Sequence, residues 1–198
     1  RNISGRETTR APGACGPVYM AYTIFTGGTG STFTSKVGFS RSKQGKCGEA
    51  WDNDQYLNKS YKQNQGTAMA VDPATGKIVV IWRHFFVAGG DGFPDSILMA
   101  TSTDFGSSFS APVPITGADF RPFDQVSIST ANCAADLTTC PVTFRSNAFP
   151  AIAIDGGGSI YVAIQEKVFA SDGRYYEPRI AIRTLKGRAT QWTAKSYI

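Results

Sequence analysis

Two sets of short apolar segments recur along the chain, each of them three times. The first set begins at Gly16, Gly76 and Gly158, and the second at Val37, Ile97 and Ile180. Successive members are 60 and then 82 residues apart in the first set, and 60 and then 83 residues apart in the second. Because two separate patterns keep one register, the sequence indicates a repeated structural unit.

The repeated unit has the pattern of four antiparallel strands. A further short apolar segment ending in an aspartate and a tight turn precedes the second and third copies, at Ala68 and Ala151. A fourth, polar-apolar segment follows them, at 111–116 and 193–198. Helical periodicity is almost absent, and four strands in roughly 50 residues are typical of a β-propeller blade. We therefore predict an all-β propeller; a β-sandwich is the alternative, but sandwiches do not repeat a strand order in fixed register.

The repeats divide the chain into about three blades of a propeller that we expect to have six. The predicted blades are 16–63, 64–116 and 146–198, with an inter-blade insertion at 117–145. The first blade lacks its opening strand, because residues 1–15 contain no apolar run. A propeller needs at least four blades. We expect the others to come from a longer polypeptide, or from further copies of this chain in a homo-oligomer.

Cysteine usage predicts a secreted, extracellular protein. The chain has four cysteines and no C-x-x-C pair, which favours disulfides over a zinc ribbon. Cys133 and Cys140 bracket a polar loop, so one possible pairing joins them and leaves Cys15 to Cys47. Four cysteines allow three connectivities, and all three stay open.

Charge and hydropathy argue against a nucleic-acid-binding protein and against a membrane-spanning one. The histidine count limits the metal centres that the chain could form. The net charge is +5, but the basic residues are scattered singly, so we expect no nucleic-acid partner. No apolar run approaches the roughly 18 residues of a membrane span. One histidine, His84, is too few for a histidine-carboxylate metal centre, and it is predicted to pack within a blade. We predict no cofactor, with calcium at Asp91 and Asp95 as a weak alternative.

A turn motif follows the strand that begins at Ile97. Ser102, Asp104, Gly106 and Phe109 fit S-x-D-x-G-x-x-F, and degraded copies stand in register in the other repeats. The motif resembles the Asp box, and the chain is similar to the bacterial sialidase-like family of secreted β-propellers with Asp-box (BNR) repeats. The resemblance implies that this turn is structural. It is predicted to form through side-chain bonds to turn amides, a glycine with positive φ, and an aromatic packed between strands.

Strand topology predicts where a ligand binds. In a four-stranded meander the loops between second and third strands lie at the end opposite the Asp-box turns, together with the connections between blades. That end should carry the loops 86–95 and 168–178 and the insertion 117–145. The three tryptophans, Trp51, Trp82 and Trp192, fall on repeat positions that predict core packing.

The resemblance also implies candidates for a sialidase mechanism, in which arginines hold a carboxylate and a tyrosine-glutamate pair attacks the sugar. The candidate ligand-binding arginines are Arg83, Arg121, Arg145, Arg174 and Arg179, and the catalytic candidates are Tyr176, Glu166 and Asp95. The family's F/Y-R-I-P signature has only a poor match at 120–122. We therefore favour a non-catalytic module that binds glycan or protein through its loop face. The alternative is an exo-sialidase with part of its site on missing blades.

Overall fold

The described part of the chain folds into three antiparallel β-sheets and, within its ranges, contains no helix. A computed structural model describes residues 16–27, 34–43, 46, 48–58, 63–72, 74–86, 94–123, 147–169, 176–187 and 189–198. All four cysteines, and with them the disulfide prediction, lie outside these ranges. The predicted all-β propeller architecture is confirmed.

Each sheet is a meander in which strands adjacent in sequence are adjacent in space. Blade 1 contains β1 (Tyr19–Thr26), β2 (Thr34–Arg41) and β3 (Gln55–Tyr56). Blade 2 contains β4 (Asn64–Val71), β5 (Ile78–His84), β6 (Ser96–Ser102) and β7 (Val113–Pro114). Blade 3 contains β8 (Ala151–Ile154), β9 (Ile160–Phe169), β10 (Tyr176–Leu185) and β11 (Ser196–Tyr197). The repeats at Gly16, Gly76 and Gly158 thus supply β1, β5 and β9.

The strands of blade 2 are apolar on both faces because a blade packs on each side. Along β5, alternate side chains point in opposite directions. Val80 and Trp82 pack with Val37 and Phe39 of blade 1. Ile81, on the other face, packs against the β9 side chains of blade 3. This double burial explains why β5 and β6 read as almost continuous apolar runs.

The tryptophans meet their predicted environment in two of three cases. Trp82 is fully buried between blades 1 and 2, and Trp192 packs partly against the core between blades 2 and 3. Trp51 is 36% exposed, so the core prediction is wrong for it. Its backbone pairs with Ser42 just beyond the end of β2.

The turn between β6 and β7 makes the side-chain bonds that its sequence predicts. Asp104 accepts hydrogen bonds from the Ser102 hydroxyl at 2.7 Å and from the Ser108 amide at 2.9 Å. Gly106 has φ 81, and a Cβ there would lie 2.6 Å from the ring of Phe39. Phe109 packs edge-on against Phe39 at 4.6 Å between centroids. The turn therefore ties blade 2 to blade 1 at what we call the turn end of the blades.

We expect Asp104→Asn to reduce stability at pH 7 and to flatten its pH dependence. Hydrogen bonds from the Ser108 hydroxyl and amide, and from Ser102, hold the pKa of Asp104 well below its usual range. A carboxyl with a depressed folded-state pKa contributes stability above its unfolded pKa of about 3.9, and that stability is lost as the pH falls. Urea unfolding at pH 7, 5 and 3 measures this, with Glu49→Gln at an exposed carboxyl as the control. A wild-type advantage that persists undiminished at pH 3 would contradict the prediction.

Candidate functional site

The opposite end of the blades, which we call the loop end, is held by the segment that enters blade 3. The carbonyl of Asn147 accepts a hydrogen bond from Arg83 Nη1 at 2.7 Å. Ala148 is buried and has φ 45. The ring of Phe149 lies directly on Gly66, whose own φ is 66, and a Cβ on Gly66 would lie 2.3 Å from ring atom Cδ1. A glycine is therefore required at 66, and it fixes Phe149 against blade 2.

A cavity of about 300 Å³ opens beside this segment. Its lining combines two amide side chains and one aromatic ring with small and branched aliphatic groups: Asn147, Ala148, Phe149, Ala151, Ala163, Ile164, Gln165 and Ile180. Pockets for small ligands are typically 300–1,000 Å³ and mostly apolar, with a few polar groups that orient the ligand. This cavity is at the lower end of that range and has that composition.

Strand pairing explains why the cavity forms here. β8 pairs with β9 only from Ala151 to Ile154. Beyond Ala151, towards the loop end, β9 pairs with residues 121–123 instead, through the Lys167 amide and the Pro122 bridge to Glu166. Residues 147–149 therefore run apart from β9, and the cavity lies beside them.

The equivalent position on blade 2 is filled by a side chain. The repeat places Ile81 and Ile97 of blade 2 where blade 3 has Ala163 and Ile180. On blade 2, Phe120 packs against these two isoleucines in the buried core. None of the described residues plays the part of Phe120 on blade 3, so the space above Ala163 and Ile180 stays available.

Exposed aromatic rings surround the loop end of all three blades. Phe25 is the second-last residue of β1, Phe169 is the last residue of β9, and Phe86 lies two residues beyond the end of β5. Including the ring beside the cavity, the exposed phenylalanines are Phe25, Phe86, Phe149 and Phe169. Exposed rings of this size at one edge of a protein mark a contact surface.

Arg83, the first predicted ligand-binding arginine, is buried within this end of the blades. Its side chain is completely inaccessible, and its guanidinium bonds Asp95 Oδ2 at 3.2 Å as well as the Asn147 carbonyl. The ring of Phe85 lies 4.1 Å from the guanidinium carbon. Arg83 thus positions the segment before β8 and is not placed to reach a ligand at the surface.

The other described arginines have separate partners. Arg121 donates to the carbonyl oxygens of Ala118 and Phe120 in its own segment. Arg179 forms an exposed ion pair with Glu177 at 2.7 Å. Arg145 and Arg174 lie outside the described residues. The three candidate arginines that are described, Arg83, Arg121 and Arg179, therefore have separate partners, and their role as ligand-binding residues stays a prediction.

Glu166 is part of a buried ionic cluster between blades 2 and 3. Its Oε2 accepts hydrogen bonds from Lys195 Nζ at 2.7 Å and from the Tyr197 hydroxyl at 3.1 Å. Burial lowers the pKa of Lys195, but the hydrogen bonds and the charge of Glu166 outweigh it and raise that pKa overall. The glutamate side chain is fully inaccessible, so its surroundings fit a structural ion pair better than a nucleophile-activating base.

Asp119 extends this cluster towards the surface. It pairs with Arg183 at 2.8 Å and with Lys195 at 3.2 Å. Burial acts to raise the pKa of Asp119, whereas the two cations and their hydrogen bonds lower it, and the net pKa is lowered. The cluster therefore joins the connection after blade 2 to strands of blade 3.

The remaining catalytic and metal predictions find little support in the geometry. Both carboxylate oxygens of Asp95 are occupied, by the Phe86 amide at 2.7 Å and by Arg83. Tyr176 begins β10, but its side chain lies outside the described residues, as does all of Asp91. Among the described residues, no group of three histidine, cysteine or acidic side chains could hold a metal ion.

Within the same described ranges, no helix has the length and apolar character to cross a membrane.

Comparison with solved structures gives matches at low sequence identity. A protein of unknown function from Dyadobacter fermentans aligns with 87% of this chain and 45% of its own, at 12% identity and TM-score 0.50. A Hadza microbial sialidase, Hz136, aligns over 80% and 30%, at 18% identity and TM-score 0.48. A polysaccharide lyase described as an ulvan lyase aligns over 88% and 37%, at 15% identity and TM-score 0.47.

These similarities concern the fold alone, and the chain spans less than half the length of each of the three structures. No protein-family model and no curated protein sequence matches the chain. The assignment to the Asp-box family therefore stays a prediction.

The cavity residues were not predicted from the sequence, although a signal for them exists. Gln165 occupies the repeat position of Arg83, and the segment 147–149 immediately precedes the opening strand of the third repeat. Following the repeat would have placed Gln165 beside Ile180, and the segment beside β9. The repeat does not predict that residues 121–123 pair with β9. This pairing separates the segment 147–149 from the sheet.

Proposed function

We propose that this chain is a non-catalytic, sialidase-like propeller module of a secreted protein, and that it binds glycan in the cavity at the loop end of blade 3. The observation that carries the proposal is the combination of Phe149, Asn147 and Gln165 around one opening of about 300 Å³. A sugar ring has an apolar C–H face and a rim of hydroxyl groups. It therefore needs an aromatic or aliphatic surface beside neutral hydrogen-bonding groups.

The lining supplies both kinds of group. Ala163 and Ile180 form an aliphatic floor, and the Phe149 ring stands at the entrance, 42% exposed. Amide side chains both donate and accept hydrogen bonds, so they can match a hydroxyl in either role. Because Gly66 supports the ring of Phe149, that surface is preorganised and less entropy is lost on binding.

The same geometry favours binding over hydrolysis. A carboxylate clamp requires guanidinium groups aimed at one point, and the three described candidate arginines have three different sets of partners. Glu166 lies between blades, engaged by Lys195. The cavity itself is lined by neutral side chains, so the proposal names no acid, base or nucleophile.

We expect Phe149→Ala to weaken glycan binding by about tenfold, equivalent to about 1.4 kcal/mol. The measurement is binding of the chain to an immobilised panel of oligosaccharides with neutral or carboxylated terminal sugars, followed by titration of the best binder. Phe105→Ala is the matched control. Its ring is similarly exposed and also lies on a positive-φ glycine, Gly76, but at the turn end.

Two outcomes would contradict the proposal. One is equal loss of binding in both variants, which would place the contact elsewhere or indicate a general effect on folding. The other is turnover of a fluorogenic sialoside by the chain, which would show an enzyme. Binding that is lost only in Phe149→Ala, without turnover, supports the proposal.

A further inference from the structure

The outer face of blade 3 is the one that points away from blade 2. It has apolar or aromatic residues at the positions that, on blade 2, contact the next blade. The repeat aligns Tyr161 and Ala163 of β9 with Val79 and Ile81 of β5, and Ile180 and Ile182 of β10 with Ile97 and Met99 of β6. The four blade 2 residues are buried against blade 3. Their counterparts on blade 3 are partly or largely exposed, with Tyr161 at 40%.

The outer face of blade 1, which points away from blade 2, also carries exposed apolar side chains. Val18, Met20 and Tyr22 align with Ile78, Val80 and Trp82 of blade 2, which are completely buried against blade 1. Val18 is 43% exposed and Met20 is 44% exposed. Blade 1 therefore presents the face that a preceding blade would cover, and blade 3 presents the face that a following blade would cover.

We propose that these two faces bind each other between two copies of the chain, so that blade 3 of each copy packs against blade 1 of the other. Each blade has a following face, which points towards the next blade in the sequence, and a preceding face, which points towards the blade before it. At both interfaces within the chain, the following face of one blade packs against the preceding face of the next. A head-to-tail pair repeats this contact twice. Three blades from each copy give six, within the range of four to eight in which propellers close. A closed pair also leaves no outer sheet face uncovered.

Continuity with the internal interfaces favours this arrangement over a contact between two blade 3 faces. Such a contact would place two following faces together, a combination that occurs at neither internal interface. Ala163 and Ile180 belong both to the outer face of blade 3 and to the lining of the proposed glycan cavity, so a second copy and a glycan would compete for these two side chains.

Sedimentation of the chain from 1 to 100 µM tests the proposal with two charge substitutions. Wild type should dimerise reversibly, whereas Met20→Lys on blade 1 and Ile182→Lys on blade 3 should each weaken dimerisation at least tenfold. An equimolar mixture of the two variants should recover dimer, since one of its two interfaces then joins two unaltered faces. Val113→Lys, on an exposed strand outside both faces, should dimerise like wild type.

Far-UV circular dichroism checks that each variant is folded, and Ala153→Arg on the exposed part of the blade 3 face replaces Ile182→Lys if that variant is not. A wild-type chain that remains monomeric at 100 µM would overturn the proposal, and would leave these faces to other blades of a longer polypeptide. Loss of dimer in Ile182→Lys without loss in Met20→Lys would overturn it in favour of paired blade 3 faces. Failure of the mixture to recover dimer would also count against it.

Discussion

Lys195→Met is expected to lower the free energy of unfolding by about 3 kcal/mol at pH 7. The substitution keeps the length of the side chain but removes the only cation that bonds Glu166 among the described residues. Glu166 is completely inaccessible, and its second carboxylate oxygen has no hydrogen-bond partner in that part of the chain. Removing one member of a buried pair leaves an uncompensated charge, which costs more than the pair itself contributes.

The pH dependence separates this electrostatic effect from lost packing. Burial without a cationic partner disfavours the charged form of a carboxyl group. A carboxyl with a raised folded-state pKa is favourable below its unfolded pKa of about 4.3 and loses that contribution as the pH rises. The penalty of Lys195→Met should therefore be largest near neutral pH and smaller at pH 4. Urea unfolding of both proteins at the two pH values measures it.

The matched control is the double variant Glu166→Gln with Lys195→Met. A neutral amide in place of the carboxylate removes the buried charge, so most of the lost stability should return at pH 7. The Tyr197 hydroxyl can still donate to the amide oxygen. A double variant no more stable than Lys195→Met, or a penalty equal at pH 4 and pH 7, would show that the cluster acts through packing alone.

The strand order was predictable because it rests on local pattern. The apolar runs at Gly76 and Ile97 became β5 and β6, both buried on two faces, and the Asp104 turn formed the bonds that its residue types allow. These features depend on residues close in sequence or on a repeat. Trp51 shows where the repeat fails, since its burial depends on whether a neighbouring blade reaches that edge of the sheet.

The candidate site was less predictable because its contacts are long-range. Arg83 was predicted to meet a ligand as a loop-end cation, but its side chain turns inward to Asp95 and the Asn147 carbonyl. Glu166 bonds Lys195 and Tyr197, which lie 29 and 31 residues away in the sequence. The cavity depends on residues 121–123 taking the place beside β9. No residue type in the sequence predicts such a displacement.

Trp82→Ala is expected to have the largest effect of any single substitution proposed for this chain, a loss of about 4 kcal/mol in the free energy of unfolding. The indole is fully buried between blades 1 and 2. Truncating it removes its transfer free energy from water and leaves a cavity that the two rigid sheets cannot collapse to fill.

The substitution also removes a hydrogen bond within blade 2, to a β4 residue whose backbone bonds blade 1. The Trp82 Nε1–H donates to Asn64 Oδ1 at 2.8 Å, and the Asn64 amide and carbonyl in turn bond the Ser35 hydroxyl of β2 at 2.6 and 2.7 Å. Trp82→Phe keeps most of the ring volume but removes the indole donor. The main loss of stability in Trp82→Phe is then that of one hydrogen bond, about 1 kcal/mol. This is less than the loss expected for Trp82→Ala, which also leaves a cavity.

Trp51→Ala is the matched control, because the same side chain is removed from an exposed position on blade 1. Surface substitutions away from special features usually change stability by no more than about 0.5 kcal/mol, so this variant should unfold close to wild type. Chemical denaturation of the three variants, followed by far-UV circular dichroism because each of them lacks one of the three tryptophans, measures the order. If Trp51→Ala and Trp82→Ala lose similar stability, blade 1 does not pack on blade 2 through Trp82, and the stacking of the blades would have to be reconsidered.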